Sequence, residues 1–348
     1  MPPPLVDLHE DISLYYVQAG AGLKFKPADF SQDMRGRHGD IPKYRRANVR
    51  LVFSSIAPLT PTISQMRVEQ LTRGYGGFYG AYRMRSATLT TLEHIVAYNN
   101  LLKKHRQDLR PILTLNDVEN LDVDGRVGFL MAIEGAEPLE DVEDLEIFYR
   151  LGVRSLQLTW NFDNKYGATC MSKKDYGLTG DGEDLVKLCN EYGVIVDLSH
   201  ASKRTTLEAL EASKMPSIVS HANAASVRKH ARNLDDEELE ALKKNGGVVG
   251  VTCIPPAISD KPSVKSLADH ILYIYESFGP DILAVGTDYF GLLNVDEPEG
   301  LGDITGILTL WDELRRRGLG ERDIEKIAYH NAMRVVRENA KRWVPATP

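Results

Sequence analysis

The chain has 348 residues, 43% hydrophobic and 26% charged, with a formal net charge of −7. That is ample for a large buried core, and an acidic balance without any basic run argues against nucleic acid or an anionic membrane surface as a partner. Cys170, Cys189 and Cys253 are odd in number, widely spaced and lack a C-x-x-C, so reduced thiols are expected and not a disulfide framework. The opening M-P-P-P-L-V-D has no basic n-region or apolar h-region, and no apolar run reaches the length of a membrane span. A soluble, cytoplasmic protein is the expectation.

Residues 6–13, V-D-L-H-E-D-I-S, interleave Val6, Leu8 and Ile12 with polar residues, without Gly or Pro, and read as a first strand. Side chains two apart share a strand face, so His9 and Asp11 point the same way and form half of a metal site. Taken alone, an H-x-D is more often an ordinary surface pair. A polar, Gly- and Arg-bearing stretch at 20–46 reads as a long loop over one face. NVRLVFSSIA (48–57) is a second strand, the Pro- and Gly-rich stretch 58–80 reads as irregular, and 89–104 carries Leu92, Ile95, Val96 and Leu101 at helical spacing.

From Pro111 strand and helix alternate regularly. PILTL (111–115), VGFLMAIEGAEPL (127–139), VRSLQLTW (153–160) and VIVDLSH (194–200) read as strands, followed by PSIVSH (216–221), GGVVGVTC (246–253) and DILAVGTDYF (281–290). Helices are expected at 145–152, 180–193, 202–213, 235–245 and 264–278. Several strands are continuous apolar runs, as when both faces are covered. Roughly eight such units without a linker or internal repeat indicate a (β/α)8 TIM barrel of the metal-dependent hydrolase type. It is expected to form a single domain over 1–348, with a helical and extended tail at 319–348.

Polar residues then recur at the carboxyl ends of different strands: His9 and Asp11, Glu134, His200, His221 and Asp288. A barrel of this kind builds its active site there, so these side chains should converge. Singly, Glu134 could be a turn residue, a strand-end His a hydrogen-bonded core residue, and Asp288 a cap. Together, three His, two Asp and one Glu exceed what one four-coordinate zinc needs and suggest two metals, about 3.5–4 Å apart and sharing a carboxylate and a hydroxide. Glu134 is the natural bridge, and nitrogen-rich ligation favours zinc, with manganese, cobalt and iron also compatible. His38, His94, His105, His270 and His330 fall outside the strand ends and read as structural or exposed. Asp197 is left without an assigned role.

The residues V-D-L-H-E-D, A-I-E-G-A, V-D-L-S-H-A-S, S-H-A-N-A, H-A-R-N-L-D-D, V-G-T-D-Y-F-G and H-N-A-M-R-V occur in this order along nearly the whole chain. In them the sequence resembles the membrane (renal) dipeptidases, zinc enzymes of the amidohydrolase-type barrels. The resemblance implies a first zinc held by His9, Asp11 and Glu134 and a second by Glu134, His200 and His221, a hydroxide lying between them. It further implies that Arg232 binds the substrate carboxylate and that Asp288 handles protons. On the residues alone Arg232 reads rather as the salt-bridge partner of Asp235 or Asp236, and His230 equally as support for the site or as a loop residue.

Two positions depart from the family pattern. Trp160 stands where the family usually has a substrate-contacting histidine, and an indole cannot serve as an ionisable partner. A pocket wall is the expected role for Trp160, with plain core packing the alternative. Phe290 stands where a second aspartate is common, which would make the site floor more apolar. The leading expectation is hydrolysis of a dipeptide amide bond by the metal-bridging hydroxide, with Asp288 as general base then acid and Arg232 gripping the terminal carboxylate. A related amidohydrolase acting on N-acyl amino acids or lactones is the alternative that Trp160 raises. A non-catalytic binding scaffold would have lost ligands, and none is lost here. Partners are therefore expected to be small molecules; a homodimer is compatible with the barrel, but no residue specifies one.

Overall fold

In a computed structural model, the structure describes residues 1–19, 28–58, 86–292 and 295–344. Nine strands run in parallel among them: β1 (Leu5–Glu10), β2 (Val49–Ile56), β3 (Leu109–Pro111), β4 (Val127–Ile133), β5 (Val153–Gln157), β6 (Ile195–Asp197), β7 (Ile218–Val219), β8 (Val248–Val251) and β9 (Leu283–Val285). Eight close into a ring, because β1 pairs with both β2 and β9, and β2 pairs directly with β4. The short β3 lies beside the amino-terminal half of β4, with Leu109 opposite Val127, below the place where β5 joins at Met131. This is the (β/α)8 barrel expected from the alternation.

The apolar runs become strands because both of their faces are covered: every residue of β1, β4 and β5 is buried. The helices between them begin and end on side-chain signals. Ser202, Thr179 and Asp235 each accept a backbone N–H in the first turn of the helices Lys203–Ala212, Gly180–Tyr192 and Asp236–Asn245. Gly193 and Gly246 end the latter two in the left-handed conformation that glycine adopts at least cost. At the barrel's amino-terminal end the segments Glu321–Glu325, Lys326–His330 and Asn331–Ala340 run as one helical stretch. Asn331 Nδ2 donates to the Leu283 carbonyl, Asn339 Nδ2 to that of Pro216, and Trp343 Nε1 to that of Gly193. Among the described residues no helix is long and apolar enough to cross a membrane.

Three sequence expectations change. PILTL is not a strand beyond Pro111: Thr114 caps the helix Leu115–Glu119 and forms a reciprocal box with Asp117, which commits 114–115 to a helix start. Within the supposed loop 20–46, Asp40 caps a helix at Ile41–Ala47, and its buried carboxylate pairs with Arg37 and Lys43; residues 20–27 lie outside the described set, as does nearly all of the stretch 58–80. Most strands also stop before the polar residues that end the apolar runs, so Glu134, Trp160, His200, His221 and Asp288 stand on the loops just past the rim.

That rim is packed backbone against backbone. A Cβ on Gly250 would lie 2.0 Å from the Ser220 carbonyl oxygen, just before His221. Gly250→Ala should therefore destabilise the protein by about 2–3 kcal/mol through overpacking, read as a lowered midpoint in thermal unfolding; an unchanged midpoint would contradict this packing.

Candidate metal centre

The strand order brings five loops to one rim, and six ionisable side chains meet there. His9 stands on β1 and Asp11 just past its end, Glu134 just past β4, His200 and His221 beyond β6 and β7, and Asp288 beyond β9. All six are less than one-tenth exposed. Glu134 Oε1 is 3.2 Å from His200 Nε2, 3.7 Å from His221 Nε2 and 3.7 Å from His9 Nε2. His9 Nε2 is in turn 3.5 Å from Asp11 Oδ2 and 3.7 Å from Asp288 Oδ1. His200 Nε2 and His221 Nε2 are 3.0 Å apart.

These separations suit a shared cation. Two donors each about 2.1 Å from a tetrahedral ion are about 3.4 Å apart. His9 Nε2 and Asp11 Oδ1 are buried yet have no hydrogen-bond partner among the described residues, as unfilled ligand atoms would be. The tautomer of His200 is set from outside the cluster: Asn161 Oδ1, an acceptor only, is 2.9 Å from Nδ1, so Nδ1 carries the proton and Nε2 turns a lone pair inward. Ser220 Oγ hydrogen-bonds His221 Nδ1 at 2.8 Å. Two overlapping donor sets stand close enough for an ion, His9 with Glu134 and His221, and His9 with Asp11 and Asp288. His9 belongs to both, which differs from the partition implied by the resemblance, in which Glu134 alone is shared.

The electrostatics agree with the donor chemistry. Burial, the Arg232 guanidinium and His9 hold His200 and His221 well below the usual imidazole pKa, so both are neutral. Burial also opposes a charge on His9, but the carboxylates of Asp11, Glu134 and Asp288 outweigh it and raise its pKa to about 10. Burial, with Asp11 adding to it, pushes the Asp288 carboxyl up to about 7 and Glu134 well above its ordinary value. Without a metal, then, protons take the place of the cation.

Above the cluster opens a cavity of about 870 Å³. Its lining includes Asp11, Glu134, His200 and Asp288 together with Trp160, His230 and Arg232. Trp160 is half-buried, 5.6 Å from the Phe162 ring and 6.3 Å from the His200 ring, which makes it a cavity wall and not core packing. Arg232 has no carboxylate partner among the described residues: Asp235 pairs with Lys203, and Asp236 accepts from Ser226 and Tyr273. Its guanidinium donates to the His221 carbonyl, and its backbone N–H to His230 Nδ1.

Phe290 does not form the floor. Its φ of +66° turns it out of the cavity lining, its ring packs edge-on to Tyr15, and its N–H donates to His38 Nδ1 at 2.8 Å. His94, His105 and His270 are buried structural residues and His330 is exposed, whereas His38 braces the Asp288 loop. Sequence reasoning passed over Asn161, whose only signal is that it follows Trp160 at the strand end.

A model of the membrane dipeptidase family, peptidase family M19, matches residues 2–345. The chain is 29% identical over 337 residues to Dipeptidase verJ of Clonostachys rogersoniana, covering 96% of this chain and 83% of that protein. It is 31% identical over 314 residues to an uncharacterised dipeptidase of Schizosaccharomyces pombe, covering 86% and 72%. A metallo peptidase from Rhodobacter sphaeroides, liganded with a phosphinate mimic of the dipeptide L-Ala-D-Ala, shares the fold with a TM-score of 0.82, 22% identity and coverage of 97% and 100%.

Because His9 is protonated in the metal-free cluster up to a pKa of about 10, a metal must displace that proton. Metal affinity should tighten by at least about tenfold per pH unit across roughly pH 6–8, and more steeply where the raised carboxyls of Glu134 and Asp288 also give up protons; calorimetry in buffers of different ionisation enthalpy should show proton release. Affinity independent of pH would contradict this charge state.

Proposed function

Since the chain belongs to the membrane dipeptidase family, whose members are metal-dependent dipeptide hydrolases, we propose that it cleaves the dipeptide amide bond in the cavity over this cluster. His9, Asp11, Glu134, His200 and His221 would hold two zinc ions. The observation that carries the reading is the convergence of buried donors of the zinc type, with His200 Nε2 3.2 Å from Glu134 Oε1 and 3.0 Å from His221 Nε2. Bound there, the metals would lower the pKa of a water towards neutrality and polarise the scissile carbonyl.

The remaining roles belong to the chain's own residues. Asp288 lines the cavity beside the ligand set, its Oδ1 3.7 Å from His9 Nε2, where a carboxyl group can both accept and donate a proton. It takes the proton of the attacking water at Oδ1 and returns it to the leaving amine nitrogen. Arg232 offers a guanidinium not committed to any carboxylate among the described residues, the geometry for a two-pronged grip on a terminal carboxylate. Burial of the cluster keeps bulk water from competing for these groups.

Trp160 favours one further substrate class. With Phe162 it makes an aromatic wall where an acyl chain would pack, so N-acyl amino acids suit the cavity as well as dipeptides. Arg232 argues against lactones, which carry no terminal carboxylate. We place the reaction in the cytoplasm, a reading that the three free thiols support.

Arg232→Lys keeps the charge but not the fork. The lost charge-assisted pairing, about 1.5–3 kcal/mol, should raise KM for a dipeptide roughly ten- to hundredfold while leaving that for its C-terminal amide almost unchanged. Equal effects on acid and amide would remove Arg232 from carboxylate binding.

A further inference from the structure

Two buried aspartates that are not part of the ligand cluster occupy matching places beneath it. Asp7, on β1, accepts from the backbone N–H of His9 at 3.1 Å and of Thr287 at 2.9 Å through one oxygen, and from the Thr287 hydroxyl at 2.7 Å through the other. Asp197, the last residue of β6, accepts from the N–H of Ser199 at 3.0 Å and of Ser220 at 2.9 Å, both on Oδ1. Each carboxylate thus joins its own strand to the next strand end in the ring. Neither forms an ion pair among the described residues, although Asp7 is fully buried and Asp197 is 3% exposed.

Every N–H so held lies in or beside a residue of the cluster. His9 is a cluster residue itself, while Ser199 precedes His200, Ser220 precedes His221 and Thr287 precedes Asp288. Ser199, Ser220 and Thr287 stand past the last residues of β6, β7 and β9, and their N–H groups go to these carboxylates and not to a neighbouring strand's carbonyl. The two residues that follow a held N–H at the sharpest turns, His200 and Asp288, have φ of +65° and +63°. L-residues with branched or bulky side chains seldom adopt that region, and they persist in it only where the surroundings over-determine it. Ser199 and Ser220 carry the constraint on to His221: its N–H donates to Ser199 Oγ, and Ser220 Oγ bonds its Nδ1.

We propose that Asp7 and Asp197 are positioning residues for the metal centre, two backbone clamps that hold the left-handed turns at Asp288 and His200 and thereby set the spacing of four of the six cluster residues. The proposal rests on the metal reading given above. What matters in each clamp is an acceptor oxygen at a fixed place and not a negative charge. An amide in the same place should therefore serve, and a methyl should not.

The test is metal affinity, measured by chelator competition on the full chain without reference to turnover. Asp197→Ala and Asp7→Ala should weaken zinc binding by about 10–100-fold, the range for outer supports of metal ligands. Asp197→Asn, whose amide oxygen can accept the same two N–H groups, should bind within a few-fold of wild type, by the same rule. Asp117→Ala serves as the control for mere loss of stability, since Asp117 closes the capping box with Thr114 and pairs with Arg110 at the opposite end of the barrel. It should lower the unfolding midpoint and leave zinc affinity unchanged. If Asp197→Ala fails to fold, Asp197→Glu, which keeps the charge but moves the oxygen by a methylene, should weaken zinc binding where Asp197→Asn does not. Wild-type affinity in Asp197→Ala, equal losses in Asp197→Asn and Asp197→Ala, or a comparable loss in Asp117→Ala would overturn the clamps. Failure of the wild-type chain itself to bind zinc would overturn the metal reading and the clamps with it, and is recognised because no variant is involved.

Discussion

Asn161 Oδ1 accepts the outer proton of His200, and this leaves a lone pair on Nε2 facing a carboxylate oxygen and a second imidazole nitrogen. Such an arrangement, sealed from water, is repulsive unless something positive lies among the donors. A proton on His9 and raised carboxyl pKa values meet that need in part, and a divalent ion meets it better. The neutral state of His200 and His221, the protonated state of His9 and the readiness of Asp288 to exchange a proton near neutrality all follow from one crowded, buried donor set.

The barrel exists, from the standpoint of the site, to make that crowding affordable. Eight parallel strands end on one rim, so loops far apart in sequence deliver side chains to one place. Close backbone approach at Gly250 and Gly286 around the Ser220 carbonyl keeps that rim narrow. The helix behind the amino-terminal end, tied to carbonyls of Gly193, Pro216 and Leu283, leaves the opposite rim for structure alone.

Much of this was legible in the sequence because the barrel imposes one simple pattern. Continuous apolar runs mark strands covered on both faces, and the polar residue that ends each run marks the rim; His9, Asp11, Glu134, His200, His221 and Asp288 all stand at such places and all meet in the structure. What was not legible depends on backbone geometry that residue identity does not announce. Asp7 and Asp197 look like any polar residue in a strand, and only hydrogen bonds to N–H groups on the neighbouring strand reveal what they hold. Phe290 reads as a floor residue because it stands where the family commonly has a second aspartate, whereas left-handed backbone at Asp288 and at Phe290 itself sends it outward to His38. Thr114 looked like the fourth residue of a strand until its capping box with Asp117 claimed it for a helix. Trp160 lay between these cases: its position at the rim was readable, and its pairing with Phe162 as an aromatic wall was not.

If the cluster is a two-metal centre, peptide hydrolysis depends on the metal it holds. This dependence is tested most directly by quantifying metal per chain and assaying dipeptide hydrolysis before and after chelation and zinc reconstitution. About two zinc ions per chain, loss of hydrolysis on their removal and recovery on their return are expected. No zinc retained after reconstitution, or hydrolysis indifferent to its removal, would contradict it.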